Sequence, residues 1–406
     1  MKKLFGLLAL VLLFAHCTND TPLPNSYDLL DRDNKVGLMP PVSLKASRVA
    51  TYWQPEPTGT RTTMLLGARD DLTSYVIFDC QNLIKVDSSA QLLSASMFLF
   101  SDTLNETTPL DVSLHQVLTS WGETSVVWDS VADFIEPTPV ESFTFQPVNF
   151  SWTEVPLNNL EFLQEWIKDS YQPELQIKGL VMKFDQASDV IQMASSDASG
   201  SPPYIRVVTQ AADDAAPDTT LAYFSRDASL MQFNSEVPAQ ETDMDPARLR
   251  VGNGSGYRSL LHFDLSDIPR EASIHKALLR FHVDPMASRT DPQNAMSIAV
   301  NMATGDSTWQ QAAEVEPNPA YPPTSDIASE TQDVFGFDSS TPLKDVSRMV
   351  QRLVTEQYPN YGFIIYPENY GLDFQEMAFY SGIADTSSAP TLEIRYSQPP
   401  EHRFGE

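Results

Sequence analysis

The sequence predicts a mainly β protein made of two tandem jelly-roll-like antiparallel β-sandwiches, each carrying one short amphipathic helix. Three observations predict it. Strand-like segments alternate apolar and polar residues with a period of two. A single apolar stripe at helical spacing occurs in each half of the chain. The two halves also repeat the same pieces in the same order across nearly the whole mature length.

The alternation is plain in SLLHFDL (Ser259 to Leu265), where Leu261, Phe263 and Leu265 share one face and Leu260, His262 and Asp264 the other. It recurs from Leu278 to Val283, with Leu279, Phe281 and Val283 opposite Leu278, Arg280 and His282. Loops rich in Pro, Asp, Ser and Asn separate such strands, the pattern of two packed antiparallel sheets. The helical stripes are Leu160, Leu163, Trp166 and Ile167, and Val346, Met349, Val350, Leu353 and Val354.

The repetition aligns Leu65-Leu66-Gly67 with Leu249-Arg250-Val251-Gly252, and each glycine precedes a Phe-Asp pair by eleven residues (Phe78-Asp79, Phe263-Asp264). Met97 to Phe100 then matches Leu278 to Phe281, and Asp111 to Leu118 matches Met296 to Met302, each followed by a tryptophan, Trp121 or Trp309. After the helix come Gly179-Leu180-Val181-Met182 and Gly362-Phe363-Ile364-Ile365. The units close on Pro203-Tyr204-Ile205-Arg206-Val207 and Pro390-Thr391-Leu392-Glu393-Ile394. The expected division is therefore 43–210 for the first module, 211–218 (AADDAAPD) for a small, acidic linker, 219–398 for the second and 399–406 for a polar tail.

The first 42 residues differ from the rest. Lys2 and Lys3 precede the apolar run Leu4 to Ala15, too short to span a bilayer and right for a signal-peptide core. Cys17 follows directly, and the segment resembles a bacterial lipoprotein signal, with His16 in place of the usual small residue. That resemblance implies cleavage after residue 16, acylation of Cys17, and a polar, proline-bearing tether over 17–42. The expected location is the bacterial cell envelope, at the outer membrane or cell surface, with membrane contact through the lipid anchor alone. Cys80 is the only other cysteine and reads as a small buried side chain.

The formal net charge of −28 sets this surface against nucleic acid. It makes calcium an admissible ligand, but composition marks no site; the metal assignment stays unknown and no other cofactor is expected. Gly252-Asn253-Gly254-Ser255-Gly256 has neither the spacing of a nucleophile elbow nor a following helix, so it reads as a strand-connecting loop. No HExxH or Cys/His zinc spacing occurs. His262, Asp264, Arg280 and His282 would meet if their strands paired, although ordinary cross-strand contacts on a polar face are the simpler reading. Two β-modules use up the mature chain and leave no catalytic domain, so no enzyme is expected.

LRVGNGSGYRSLLHFDLSDIPREASIHKALLRF (Leu249 to Phe281) resembles the opening of the DNRLRE-type domain, also described as carbohydrate-binding module family 96. Asp345-Val346 through Gln351, with Asn360-Tyr361-Gly362-Phe363, is similar to a later stretch of that family. The first module departs from it at Asn82-Leu83-Ile84 and at Gln176-Ile177-Lys178-Gly179. The resemblance implies a β-sandwich of secreted and surface proteins, with acidic polysaccharide bound by some members. Candidate ligand residues are then Arg250, Tyr257 and Arg258 around the glycine loop, and Arg61 and Arg69 at its counterpart, through stacking on sugar faces and ion pairs to uronates. Trp121 and Trp309 read as packing residues. The expected function is non-catalytic binding of extracellular or envelope polysaccharide, the alternative a structural or protein-interaction spacer with no sugar site. The oligomeric state is left open.

Overall fold

The computed structural model describes residues 37–398, apart from 54–55, 70–71, 105–108, 173, 175, 188, 213–215, 234–247, 290–295, 305–323, 329–333, 338–345, 369 and 372. The signal segment, Cys17 and Trp309 lie outside the described residues, as do the tail and most of the tether.

Strands run through the chain as β1 (Val42–Lys45), β2 (Arg48–Trp53), β3 (Thr63–Arg69), β4 (Leu72–Asp79), β5 (Gln91–Leu104), β6 (Leu110–Gln116), β7 (Glu141–Phe145) and β8 (Ser151–Leu157). Helix α1 (Leu160–Asp169) precedes β9 (Leu180–Phe184), β10 (Val190–Ala194), β11 (Tyr204–Gln210), β12 (Asp218–Tyr223) and β13 (Arg226–Phe233). The second half holds β14 (Arg248–Gly252), β15 (Tyr257–His262), β16 (Ser273–His282), β17 (Met296–Met302), β18 (Thr324–Ala328), β19 (Val334–Phe337) and α2 (Ser347–Val354). It ends with β20 (Phe363–Pro367), β21 (Glu376–Tyr380) and β22 (Thr391–Ser397).

These form two jelly-roll-like sandwiches with the same strand order. In the first, β12-β11-β5-β8 faces β13-β4-β9-β6-β7, and the pair β3-β10 bridges the two sheets. In the second, β1-β22-β16-β19 faces β2-β15-β20-β17-β18, with β14-β21 as the corresponding pair. Every pairing is antiparallel, and the duplication read from the sequence is therefore visible strand by strand.

The boundaries of the hydrogen-bonded units differ from those expected. The expected linker at 211–218 falls inside the first unit, because β11 and β12 before and after it pair from Tyr204↔Tyr223 to Thr209↔Asp218. Next, β13 completes the first sandwich along the whole of β4, from Arg226↔Asp79 to Phe233↔Leu72. Strands β1 and β2, the first of the described strands, pair instead with β22 and β15 of the second sandwich. The first unit is thus the continuous segment 63–233, inserted between the opening strand pair of the second unit and its remainder. Strand register is set by hydrogen bonding and burial rather than by chain order, so either terminal pair of consecutive strands, one strand to each sheet, satisfies the same two edges.

Each core is a closed apolar cluster. Phe78, Met97, Leu114, Met182, Ile205 and Phe224 fill the first, with Phe78 and Phe224 stacked at 4.3 Å. Leu261, Phe263, Phe281, Ile298, Phe363 and Ile394 fill the second. The helices close the ends as the stripes predict: Leu163, Trp166 and Ile167 are buried, and so are Met349, Val350, Leu353 and Val354. Asn159 caps α1 by accepting from the Phe162 amide at 3.1 Å. Equivalent glutamines fasten both helices to the loop before the long strand, Gln164 Nε2 donating to the Ser88 carbonyl and Gln351 Nε2 to that of Ala272. Gly179 and Gly362 have φ of +132° and +96°, and a Cβ there would stand 2.6 and 2.3 Å from the carbonyl oxygens of Phe78 and Leu261. Close backbone approach explains why both repeats carry glycine at this place.

Candidate functional site

The five ligand residues expected from the sequence are not gathered on an open surface. Arg69 is ion-paired with Asp189 at 2.6 Å, and Arg250 with Glu376 at 2.7 Å, each bridging the short strand pair of its unit. Tyr257 is buried against Phe233 of the inserted unit, with ring centroids 5.8 Å apart. Arg258 is 5 % exposed, paired with Glu56 and set over the Tyr366 ring. Arg61 and Arg258 both lie near Tyr370, whose buried hydroxyl accepts the Glu56 amide at 3.0 Å. Tyr257, Arg258 and Arg61, unlike Arg69 and Arg250, thus lie at the seam between the two units, where Phe374 also packs on Leu65, Leu72, Val190 and Met231. The glycine loop itself has the expected strand-connecting role, joining β14 to β15 with Gly256 at φ +74°.

The group His262, Asp264, Arg280 and His282 is divided by the fold. β15 pairs with β2 and β20, while β16 pairs with β22 and β19 in the opposite sheet. His262 instead meets Ser47 Oγ at 2.9 Å and Arg280 pairs with Glu393 at 3.2 Å. Among the described residues no cluster of three or more His, Cys, Asp or Glu side chains is arranged to hold a metal ion. Trp121 is a packing residue, its indole N–H donating to the Lys178 carbonyl at 2.8 Å under the Arg226 guanidinium. Cys80 is buried, and burial beside Asp79 pushes its thiol pKa well up, so it stays protonated.

One open groove of about 640 Å³ lies on the outer face of β6 and β7, lined by Asp111, Ser113, His115, Ser142, Thr144 and Asp185. His115 Nδ1 meets the Glu136 carbonyl at 2.8 Å, which only accepts, so Nδ1 carries the proton and Nε2 accepts from Ser113 Oγ at 2.9 Å. Burial lowers the His115 pKa. Both ring nitrogens are thus spent, Nδ1 on the backbone at Glu136 and Nε2 on its own strand.

The feature that sequence reasoning missed is an aromatic face on the first unit. Alternation along β5, β8, β11 and β12 sends Met97, Leu99, Val155, Ile205, Val207 and Ala222 inward. It sends Phe98, Phe100, Trp152, Glu154, Tyr204, Arg206, Leu221 and Tyr223 outward. Register then assembles them: Phe98 lies opposite Tyr204 and Glu154, Phe100 opposite Trp152, and Tyr204 opposite Tyr223. Phe98 and Tyr204 are parallel at 4.8 Å; Trp152 meets Tyr204 at 5.4 Å and Phe100 at 5.5 Å; Tyr204 meets Tyr223 at 5.5 Å. Trp152 remains 38 % exposed and Tyr223 39 %. Arg206 lies 4.8 Å over Phe98 and is ion-paired with Glu154. Burial raises the Tyr204 pKa, so its phenol is neutral at pH 7. Each strand shows only one or two of these rings, and residues far apart in sequence meet through pairing; periodicity in single segments marks them merely as outward-facing.

Such a face can stack flat apolar surfaces on its rings and offer phenol, guanidinium and carboxylate groups at its edge. Among the described residues, the equivalent register of the second unit does not repeat this set of residues. By register, Phe98, Phe100, Trp152, Tyr204 and Tyr223 correspond to Arg280, His282, Val334, Thr391 and Lys45.

No family model and no curated protein matches this chain. Among solved structures it is similar to the VP2 subviral particle of infectious bursal disease virus at 11% identity, over 90% of this chain and 78% of that one, with a TM-score of 0.13. A score that low carries no argument about fold or function.

Proposed function

We propose that this chain is a lipid-anchored protein of the bacterial cell envelope, held through Cys17, whose paired sandwiches are non-catalytic and bind polysaccharide. The single observation that carries the binding is the five-ring face of the first unit. A soluble sheet normally turns polar groups outward, and five adjacent aromatic rings on a solvent face expose apolar surface that folding alone does not require. Aromatic rings that present a face and a polar edge suit sugars, which have apolar C–H faces bordered by hydroxyls. The resemblance to the DNRLRE-type domain supports the same class of ligand, placed here at residues other than those it first suggested.

The spacer reading makes the opposite prediction for the same residues. Native electrophoresis of the mature chain through gels containing individual neutral and acidic polysaccharides separates the two. At least one polysaccharide should retard the protein, and Trp152→Ala should weaken that retardation about tenfold, as expected for the loss of one stacking ring. Unretarded migration in every gel leaves the spacer reading in place.

A further inference from the structure

We infer that the aromatic face of the first unit takes a neutral polysaccharide, bound as a single chain, and discriminates against polyuronates. This rests on the polysaccharide-binding reading and goes past it to the class of sugar.

The charge on the face is the first argument. The four strands that build it, β5, β8, β11 and β12, contain one cation, Arg206, against three carboxylates, Asp102, Glu154 and Asp218. Arg206 is also committed twice, to Glu154 and to the ring of Phe98. A uronate carboxylate arriving here would have to displace Glu154 from its partner while approaching a chain of formal charge −28. A neutral sugar meets no such opposition. Its hydroxyls can share the Arg206–Glu154 pair as donors and acceptors without breaking it.

Ring geometry supplies the second argument. Trp152, Tyr204 and Tyr223 form a track with centroid steps of 5.4 and 5.5 Å, comparable with the length of one pyranose residue. The rings along it are inclined at 61° and 54° to one another rather than coplanar. Inclined rings fit successive residues of one twisting chain, whereas a crystalline polysaccharide surface would need them level. The second unit places Lys45, Thr391 and Arg280 where the first has Tyr223, Tyr204 and Phe98.

The test uses the mature chain with hydroxyethyl cellulose, soluble xylan and galactomannan as neutral probes, and alginate and polygalacturonate as acidic ones. Native affinity gels and calorimetric titration report the binding. At least one neutral probe should bind, with Trp152→Ala and Tyr223→Ala each weakening it tenfold or more. Added salt should leave the affinity nearly unchanged, because no ion pair forms. Both side chains are more than a third exposed, so both variants should keep the wild-type melting temperature. Preferential binding of alginate or polygalacturonate that is lost in Trp152→Ala and weakens with salt would overturn the neutral class and leave the polysaccharide reading standing. Neutral binding unaffected by either variant would overturn the placement on this face. Failure of every probe would overturn the polysaccharide reading itself.

Discussion

The two sandwiches share a strand order, a helix at the same place and a glycine at the same close approach, yet differ in two respects. One is chain continuity: the first unit is the unbroken segment 63–233, whereas the second is assembled from 42–53 and 248–397. The other is the solvent face of the corresponding four-stranded sheet, aromatic in the first and built from Lys45, Arg280, Glu393 and Thr391 in the second. What the sandwiches share lies inside them, where packing dictates residue type. What differs lies outside, where a sheet position can take a ring or a charge at little cost to folding. Duplicated architecture therefore gives no reason to expect a duplicated site.

The continuity difference offers the largest test. Residues 56–233 should fold alone into a cooperative β domain, while 219–398, the repeat as sequence alignment divides it, should fail to do so. It lacks β1 and β2, leaving the edges of β22 and β15 unpaired, and it carries β12 and β13 away from their partners. A peptide of residues 37–53 added to 234–398 should restore β-sheet circular dichroism. Folding of 219–398 without that peptide would show that β12 and β13 can close the second unit, and that the two terminal strand pairs are interchangeable.

Core equivalence gives a smaller, symmetrical effect. Leu163→Ala and Leu353→Ala each truncate a buried helix residue and should cost about 2–5 kcal/mol in the unit that holds them. Glu161→Ala, exposed on the other side of α1, should cost under about 0.5 kcal/mol. Denaturant melts with two resolved transitions would report which unit moves. Equal losses from Leu163 and Glu161 would break the equivalence of the helices.

The most local effect concerns one carboxylate of the first unit, and it shows only as pH changes. Asp227 on β13 is 1 % exposed, its Oδ2 accepts the Ser196 amide at 2.7 Å, and its own amide donates to Glu123 at 3.1 Å. Burial, with Glu123 and Asp197 adding to it, pushes its pKa up to about 7. A raised carboxylate favours the folded state while protonated. Its contribution is whole below the unfolded value near pH 4, and is lost as pH rises to about 7. Across that window the wild type should lose on the order of 4 kcal/mol relative to Asp227→Asn, which keeps an acceptor for Ser196 without the charge. Parallel stability profiles of the two proteins would remove Asp227 from the account.

Much of this was legible in advance, for identifiable reasons. Alternation in Ser259 to Leu265 and the stripe from Val346 to Val354 follow from burying one face of a strand or helix. Both reappear as β15 and its approach to the core, and as α2. The paired Gly179 and Gly362 follow from backbone proximity. Tyr257, Arg258 and Arg61 have ligand chemistry beside a glycine loop, and the sequence points to them for that reason. Identical chemistry serves to bury a seam, and nothing local distinguishes the two uses.

By itself the sequence determined the class of fold, the duplication, the helices and the inward residues of most strands, because each depends on contacts near in sequence or on a burial period of two or 3.6 residues. Only the tertiary structure decided which strand pair closes which sandwich, since β1-β2 and β12-β13 have equivalent patterns and the choice lies in pairings more than two hundred residues apart for β2 and β15. It also decided the candidate site. Phe98, Trp152, Tyr204 and Tyr223 come from four strands, and a face exists only where hydrogen-bond register sets them side by side.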